Sequence, residues 1–141
     1  MQLSGKKIVV VGGAGLIGSH TLDQLLKEDV REIIVYDNFV RGRIENIAYA
    51  LQDKRVRVFE AGGDVLQSDV LANAFKGADG VLHFAALWLL QCHDFPRSAF
   101  DVNIRGTFNV LEACVAANVS RWPTIAVHRR VTRSRSRGSS E

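Results

Sequence analysis

The clearest chemistry lies in Gly12-Gly13-Ala14-Gly15-Leu16-Ile17-Gly18, directly after the apolar run Lys7–Val11 (KIVVV). Gly12, Gly15 and Gly18 recur every third position. At a strand-to-helix bend each has a task. Gly12 lets the chain turn sharply off the strand, where a Cβ would clash. Gly15 lets backbone approach a diphosphate, and Gly18 lets the helix lie close to the sheet. Gly18, Leu22 and Leu25 are spaced i, i+4, i+7, so Gly18 belongs to the helix's buried face. The free N–H groups at the start of such a helix, with Leu16 and Ile17 between the glycines, suit a diphosphate.

A carboxylate completes the pattern. Asp37 ends the next apolar run, Glu32–Tyr36 (EIIVY), 25 positions after Gly12. There it can accept hydrogen bonds from both hydroxyls of an adenosine ribose, and it would repel a 2′-phosphate. NAD is therefore expected as cofactor, with Arg41 and Arg43 nearby as the residues that keep NADP in view.

The elements that must position these groups alternate along the chain. Lys7–Val11, Glu32–Tyr36, Val56–Ala61 and Gly80–Ala85 read as strands, the first two as strands buried on both faces. Between them, helices are expected from the glycine turn to about Glu28, over Ile44–Leu51 and around Val70–Phe75. A last helix should run from about Arg97 to Asn118. It shows two apolar faces, one with Val102, Gly106, Val110, Ala113 and Ala117, the other with Ile104, Phe108, Leu111 and Val115. One face can pack on the sheet, and the other predicts a homodimer contact through helix 97–118. Successive βα units predict a parallel α/β sheet with right-handed crossovers, and the glycine turn favours a doubly wound sheet over a barrel.

Composition excludes other classes. Of 141 residues, 47 % are hydrophobic and 23 % charged, and the net charge is +3. Residues 128–141 hold five arginines and one glutamate, so the remainder carries no basic excess. No nucleic-acid partner is expected, since the tail lacks interleaved aromatics and the body lacks a basic face. No apolar run is long enough for a bilayer and no leader pattern opens the chain, so a cytoplasmic protein without a membrane partner is expected. Cys92 and Cys114 share no ligand spacing, and no metal site is expected. His83, inside an apolar strand, reads as a core histidine.

Five motifs in order, VVGGAGLIGSH, VYDNFVRG, Gly63-Asp64-Val65, VLHFAAL and DVNIRGTFNVLEAC, resemble the extended short-chain dehydrogenase/reductases, and most closely their nucleotide-sugar epimerases and dehydratases. The resemblance covers roughly residues 3–121. It implies a Rossmann-type doubly wound sheet, here truncated after the fourth or fifth strand. It implies that Asp37 and Asn38 hold the adenosine ribose, that Asp64 and Val65 lie against adenine, and that Phe84, Ala85 and Ala86 line ribose and diphosphate. Asn103 would support the cofactor side of the active site. Simpler roles stay open: Asp64 as a turn cap, Ala85 and Ala86 as strand-end packing, Asn103 as a backbone tie. Leu87–Asp94, with Trp88 and Cys92, would lie near a nucleotide-sugar substrate or form an apolar loop.

In that family a Tyr-x-x-x-Lys pair carries the proton chemistry. This sequence has Tyr36 and Tyr49, neither with lysine four positions on, and no lysine after Lys76. No catalytic residue is therefore named, and the chain alone is expected to be inactive, or to serve as a non-catalytic dinucleotide-binding or sensing module. The chain changes character near Arg121. Domain boundaries are placed at 1–121 for the NAD-binding domain and 122–141 for a divergent, disordered Arg/Ser-rich tail, with Trp122–Val127 as a poor fifth strand. The switch resembles a reading-frame change or a premature end of the gene.

Overall fold

A computed structural model describes residues 3–120, and residues 1–2 and 121–141, with the proposed tail and fifth strand, lie outside it. Four strands, β1 (Lys7–Val11), β2 (Glu32–Tyr36), β3 (Val56–Val58) and β4 (Gly80–His83), form one parallel sheet in the order β3-β2-β1-β4. Register pairs Val10 with Val35 on one side and with Leu82 on the other. Apolar runs of β-branched residues form the strands because both sheet faces are covered. Alternation along the backbone sorts those runs into two cores. Val9, Val11, Ile34 and Tyr36 meet Leu71, Phe75, Val110 and Cys114. Ile8, Val10, Ile33 and Val35 meet Leu22, Leu25 and Ile47 on the opposite face.

The chain builds outward from β1 through β2 to β3, then crosses back to add β4 on β1's free side. That reversal opens a crevice at the carboxyl ends of β1 and β4, the position where doubly wound sheets bind ligands. The opposite ends of the strands are tied by charge. Asp79 accepts the Lys7 backbone N–H at 2.8 Å and the Lys6 ammonium at 3.1 Å, which holds its carboxyl below the usual range. Arg55 grips Asp53 at 2.8 Å and bonds the carbonyls of Leu26 and Glu28 at 2.9 and 2.8 Å, closing the return into β2. This pairing draws the Asp53 carboxyl down to about 2.

Several boundaries differ from those expected. The first helix, α1, spans Leu16–Leu25 and stops short of Glu28. Strands β3 and β4 end at Val58 and His83, before Ala61 and Ala85, and each is prolonged by one further backbone hydrogen bond, Phe59 N–H to the Val35 carbonyl and Phe84 N–H to the Val11 carbonyl. Residues 44–52 form two short 3₁₀ turns, Ile44–Ile47 and Ala50–Gln52, rather than one helix. Ile47 and Ala50 are buried there, Leu51 packs against the same core, and Ile44 stays exposed. The helix after β3, α2, spans Ser68–Ala74.

The long final helix is composite. Short helices α3 (Leu89–Asp94) and α4 (Pro96–Phe100) lead into a π-helical stretch, Asp101–Gly106, and then α5 (Thr107–Ala116). Gly106 explains the close packing at the joint, since a Cβ there would meet Val65 Cγ2 at 2.5 Å. The two-faced reading of this segment stands. Gly106, Val110 and Ala113 are buried, while Ile104, Phe108 and Val115 are exposed and Leu111 is half-buried.

Candidate functional site

The crevice begins with a turn that leaves β1 in a conformation side chains avoid. Gly12 has φ +78°, and its N–H donates to the Tyr36 carbonyl at 2.8 Å. A Cβ on Gly12 would meet the Ala85 nitrogen at 2.5 Å, so the turn is seated directly against the chain leaving β4. Gly18 sits one turn into α1, where a Cβ would overlap the Gly12 carbonyl oxygen and the Gly13 backbone. Gly15 is the N-terminal cap of α1, and a Cβ there would find only the Gly12 oxygen, at 3.3 Å. Its outward side is open.

The helix start is chemically unfinished. No side chain caps α1 and its first turn holds no acid. Its first helical hydrogen bond runs from Ser19 N–H to the Gly15 carbonyl at 2.9 Å. The N–H groups of Leu16, Ile17 and Gly18 therefore point out of the helix end without an intrahelical acceptor. An anion with several oxygens, such as a diphosphate, fits this arrangement. The residues present thus fit a dinucleotide.

Asp37 is brought to the same place. Its carboxylate accepts the Ala14 N–H at 2.9 Å and the Phe39 N–H at 2.8 Å, so it is oriented by the glycine turn itself. Phe39 takes φ +56°, a left-handed conformation that costs a bulky residue about 1 kcal/mol or more. The hydrogen bond to Asp37 holds it there. Asn38 is exposed, and its side-chain oxygen accepts the Val40 N–H at 3.2 Å.

Two glycines not assigned a role by the sequence reading shape this corner. A Cβ on Gly42 would meet Ala14 Cβ at 2.8 Å and Asp37 Oδ1 at 2.9 Å. A Cβ on Gly63 would overlap the Asp37 carbonyl group. The signal was present, since each glycine follows shortly after the end of a strand. What the sequence could not show is that both abut the same aspartate.

The remaining expected residues divide. The Asp64 carboxylate caps the Leu66 N–H at 2.9 Å, and its carbonyl accepts the Tyr36 hydroxyl at 2.8 Å. Tyr36 is thereby structural, and burial pushes its phenol up to about 12. The Val65 side chain is buried in the core, and its carbonyl accepts the Asn109 amide at 3.0 Å.

Phe84 and Ala85 are half-buried at the exit of β4, and Ala86 is exposed. The Phe84 N–H donates to the Val11 carbonyl at 2.7 Å, prolonging the sheet pairing to the edge of the crevice. Asn103, in the π-helical stretch, accepts the Leu87 N–H at 2.7 Å and donates to the Leu87 carbonyl at 3.0 Å. Its amide completes that strand exit as a neighbouring backbone would. Among the simpler roles, the backbone tie describes Asn103 and the turn cap describes Asp64.

His83 lies under the crevice as a core residue, with Nε2 3.1 Å from the Thr107 hydroxyl and Nδ1 unpartnered. Burial pushes its imidazole down to about 4. The unfolded chain, with an ordinary histidine near 6.5, binds the proton first as pH falls. Stability is therefore full above pH 6.5 and is lost progressively toward pH 4, by roughly 3 kcal/mol in total. Denaturant melts across this range should show that loss, and His83→Leu should flatten it. An unchanged pH slope in His83→Leu would contradict the assignment. Among the described residues, no cluster of His, Cys, Asp or Glu could hold a metal ion, and no helix is long and apolar enough to cross a membrane.

Comparison with known proteins places this crevice in a family. The model of the 3-beta hydroxysteroid dehydrogenase/isomerase family matches residues 9–122. The chain belongs to that family. It is an extended short-chain dehydrogenase/reductase sequence, and the family's relatives include nucleotide-sugar epimerases and dehydratases.

Human 3 beta-hydroxysteroid dehydrogenase type 7 is 37 % identical over 109 residues, covering 76 % of this chain and 28 % of that protein. The pea bifunctional UDP-glucose 4-epimerase and UDP-xylose 4-epimerase 1 is 34 % identical over 127 residues, covering 86 % of this chain and 36 % of its own. Among solved structures, the dTDP-glucose 4,6-dehydratase DesIV from Streptomyces venezuelae, with NAD and TYD bound, superposes with a TM-score of 0.77 at 32 % identity. That match covers 82 % of this chain and 38 % of the dehydratase. The chain thus spans about a third of the length of the curated relatives it matches.

Proposed function

We propose that this chain is the NAD-binding part of a nucleotide-sugar epimerase or dehydratase acting by transient hydride transfer between a sugar carbon and NAD. The uncapped start of α1, with Asp37 turned toward it by the Ala14 N–H, carries the NAD-binding part of this reading, and the nucleotide-sugar part rests on the names of relatives. When bound, NAD would supply the hydride acceptor. The chain's own residues would bind and orient it. The N–H groups of Leu16, Ile17 and Gly18 donate to the diphosphate, with Gly12 and Gly15 giving it room. Asp37, with Asn38 beside it, accepts from the adenosine ribose hydroxyls. The Asp64–Val65 turn flanks adenine. Phe84, Ala85 and Ala86 line the path toward nicotinamide, and Asn103 acts as a positioning residue by fixing Leu87. The two sources of support are the geometry of the cradle and the NAD-bound relatives with nucleotide-sugar names.

In the family this sequence resembles, a Tyr-x-x-x-Lys pair transfers the proton, and these 141 residues hold no such pair. The purified chain should therefore bind NAD without turnover. At 100 times Kd, NAD should add about 2.7 kcal/mol of stability, read as a rise of roughly 10 °C in melting temperature. Epimerase or dehydratase turnover by the 141-residue chain would overturn the division of labour. Absence of any NAD-dependent stabilisation would overturn the binding reading itself.

We also propose a homodimer through helix 97–118. Phe100, Ile104, Phe108 and Val115 form an exposed apolar stripe at i, i+4, i+8 and i+15. Single exposed apolar residues are ordinary, but a contiguous stripe marks an interface. Phe108→Glu should convert the dimer to monomer in analytical ultracentrifugation while leaving NAD-dependent stabilisation in place. A dimer that persists in Phe108→Glu would locate the contact elsewhere.

A further inference from the structure

We propose that Arg41 and Trp88 form a clasp that retains the bound dinucleotide; this inference rests on the cofactor reading above. Arg41 follows β2 and Trp88 follows β4, the two strands on either side of β1. The Arg41 guanidinium carbon nevertheless lies 4.9 Å from the centre of the Trp88 ring. A contact between those two loops must cross the carboxyl end of β1, where the glycine turn begins.

Both ends of the bridge are anchored to the cradle. Gly42, next to Arg41, abuts Ala14 and the Asp37 carboxylate. Leu87, next to Trp88, is held by both groups of the Asn103 amide. The side chains that span the gap are themselves exposed, Trp88 by 48 %. An exposed cation–π stack is weak enough to open and close. In the proposed complex, a dinucleotide running from the Asp37 side to the Ala85–Ala86 side would pass beneath it. The diphosphate brings negative charge toward the guanidinium, so the closed stack is favoured when the groove is filled. An enzyme that returns the hydride to its substrate gains from slow cofactor release, since NAD is regenerated in place.

The test is the dissociation rate of NADH, read by stopped-flow loss of its enhanced emission on displacement by excess NAD, using the full 141-residue chain. Arg41→Ala and Trp88→Ala should each release NADH about fivefold faster. The double variant should be no faster than either single one, and Trp88→Phe, which keeps an aromatic face, should stay near the wild-type rate. Release of AMP, which does not reach across the turn, should be unchanged, whereas ADP-ribose should behave like NADH; both are read by displacement with NADH. Single variants within twofold of wild type would overturn the clasp, as would additive effects or an equal acceleration for AMP. A wild-type chain that takes up no dinucleotide would overturn the cofactor reading and the clasp together, whereas normal uptake with unaffected variants would overturn the clasp alone.

Discussion

Gly18→Ala should lose both stability and dinucleotide binding, although it adds a single methyl group. That methyl would overlap the Gly12 carbonyl oxygen and meet Gly13 Cα at 2.6 Å. Both obstacles are backbone, and neither can rotate away as a side chain would. The Gly12 end of the turn is held in turn by the Tyr36 carbonyl and by its close approach to Ala85. Helix α1 must therefore move off the sheet, opening contacts of Leu22 and Leu25 with the core. Overpacking of this kind costs about 1–3 kcal/mol. In a domain of this size the melting temperature should fall by about 5–15 °C.

The N–H groups of Leu16, Ile17 and Gly18 would move with the helix, and NAD affinity should fall at least about 100-fold, or 2.7 kcal/mol. Gly15→Ala separates the two effects. Its new methyl meets only the Gly12 oxygen at 3.3 Å. It should leave the melting temperature nearly unchanged while weakening NAD binding through the open side of the turn. Equal melting temperatures for wild type and Gly18→Ala would show that the turn yields more easily than its contacts imply.

Asp37→Ala should weaken NAD binding by about 10- to 100-fold and narrow the preference for NAD over NADP. The carboxylate does two things at once. It holds the turn by accepting the Ala14 and Phe39 N–H groups, and in the proposed complex its remaining lone pairs would accept from the ribose hydroxyls. Removing it leaves both N–H donors without that partner and releases the left-handed Phe39. It also removes the negative charge that opposes a 2′-phosphate. Asp37→Asn retains one acceptor oxygen but cannot serve both N–H donors and two hydroxyls. Its loss should be intermediate. Titration calorimetry with NAD and NADP reads both the affinity and the ratio. An unchanged NAD affinity in Asp37→Ala would remove the carboxylate from the site.

How much was legible in the sequence follows from the range of the interactions involved. Strand, glycine turn and helix lie within residues 7–25, and the periodicity that defines them is written in neighbouring positions. The expected buried face of α1, through Gly18, Leu22 and Leu25, is the observed one. Asp37 needed only the end of the next strand to be found. Strand ends were less accurate, because apolar residues continue through Phe59 and Phe84 beyond the ends of β3 and β4.

The composite nature of helix 97–118 was invisible, because its apolar spacing continues without a break through the π-helical stretch. The fate of the individual polar groups was equally hidden. Asn103 spends its amide on Leu87, Asp64 spends its carboxylate on Leu66, and Val65 turns into the core beneath Gly106.

By itself, then, the sequence determined the order of the elements, the glycine turn and the aspartate that ends the next strand, because hydrophobic periodicity and glycine's backbone freedom act over a few residues. The tertiary structure alone decided that Gly42 and Gly63 press on one aspartate and that Arg41 reaches Trp88. Those contacts join segments far apart in sequence, and only the parallel sheet brings their loops to a common edge.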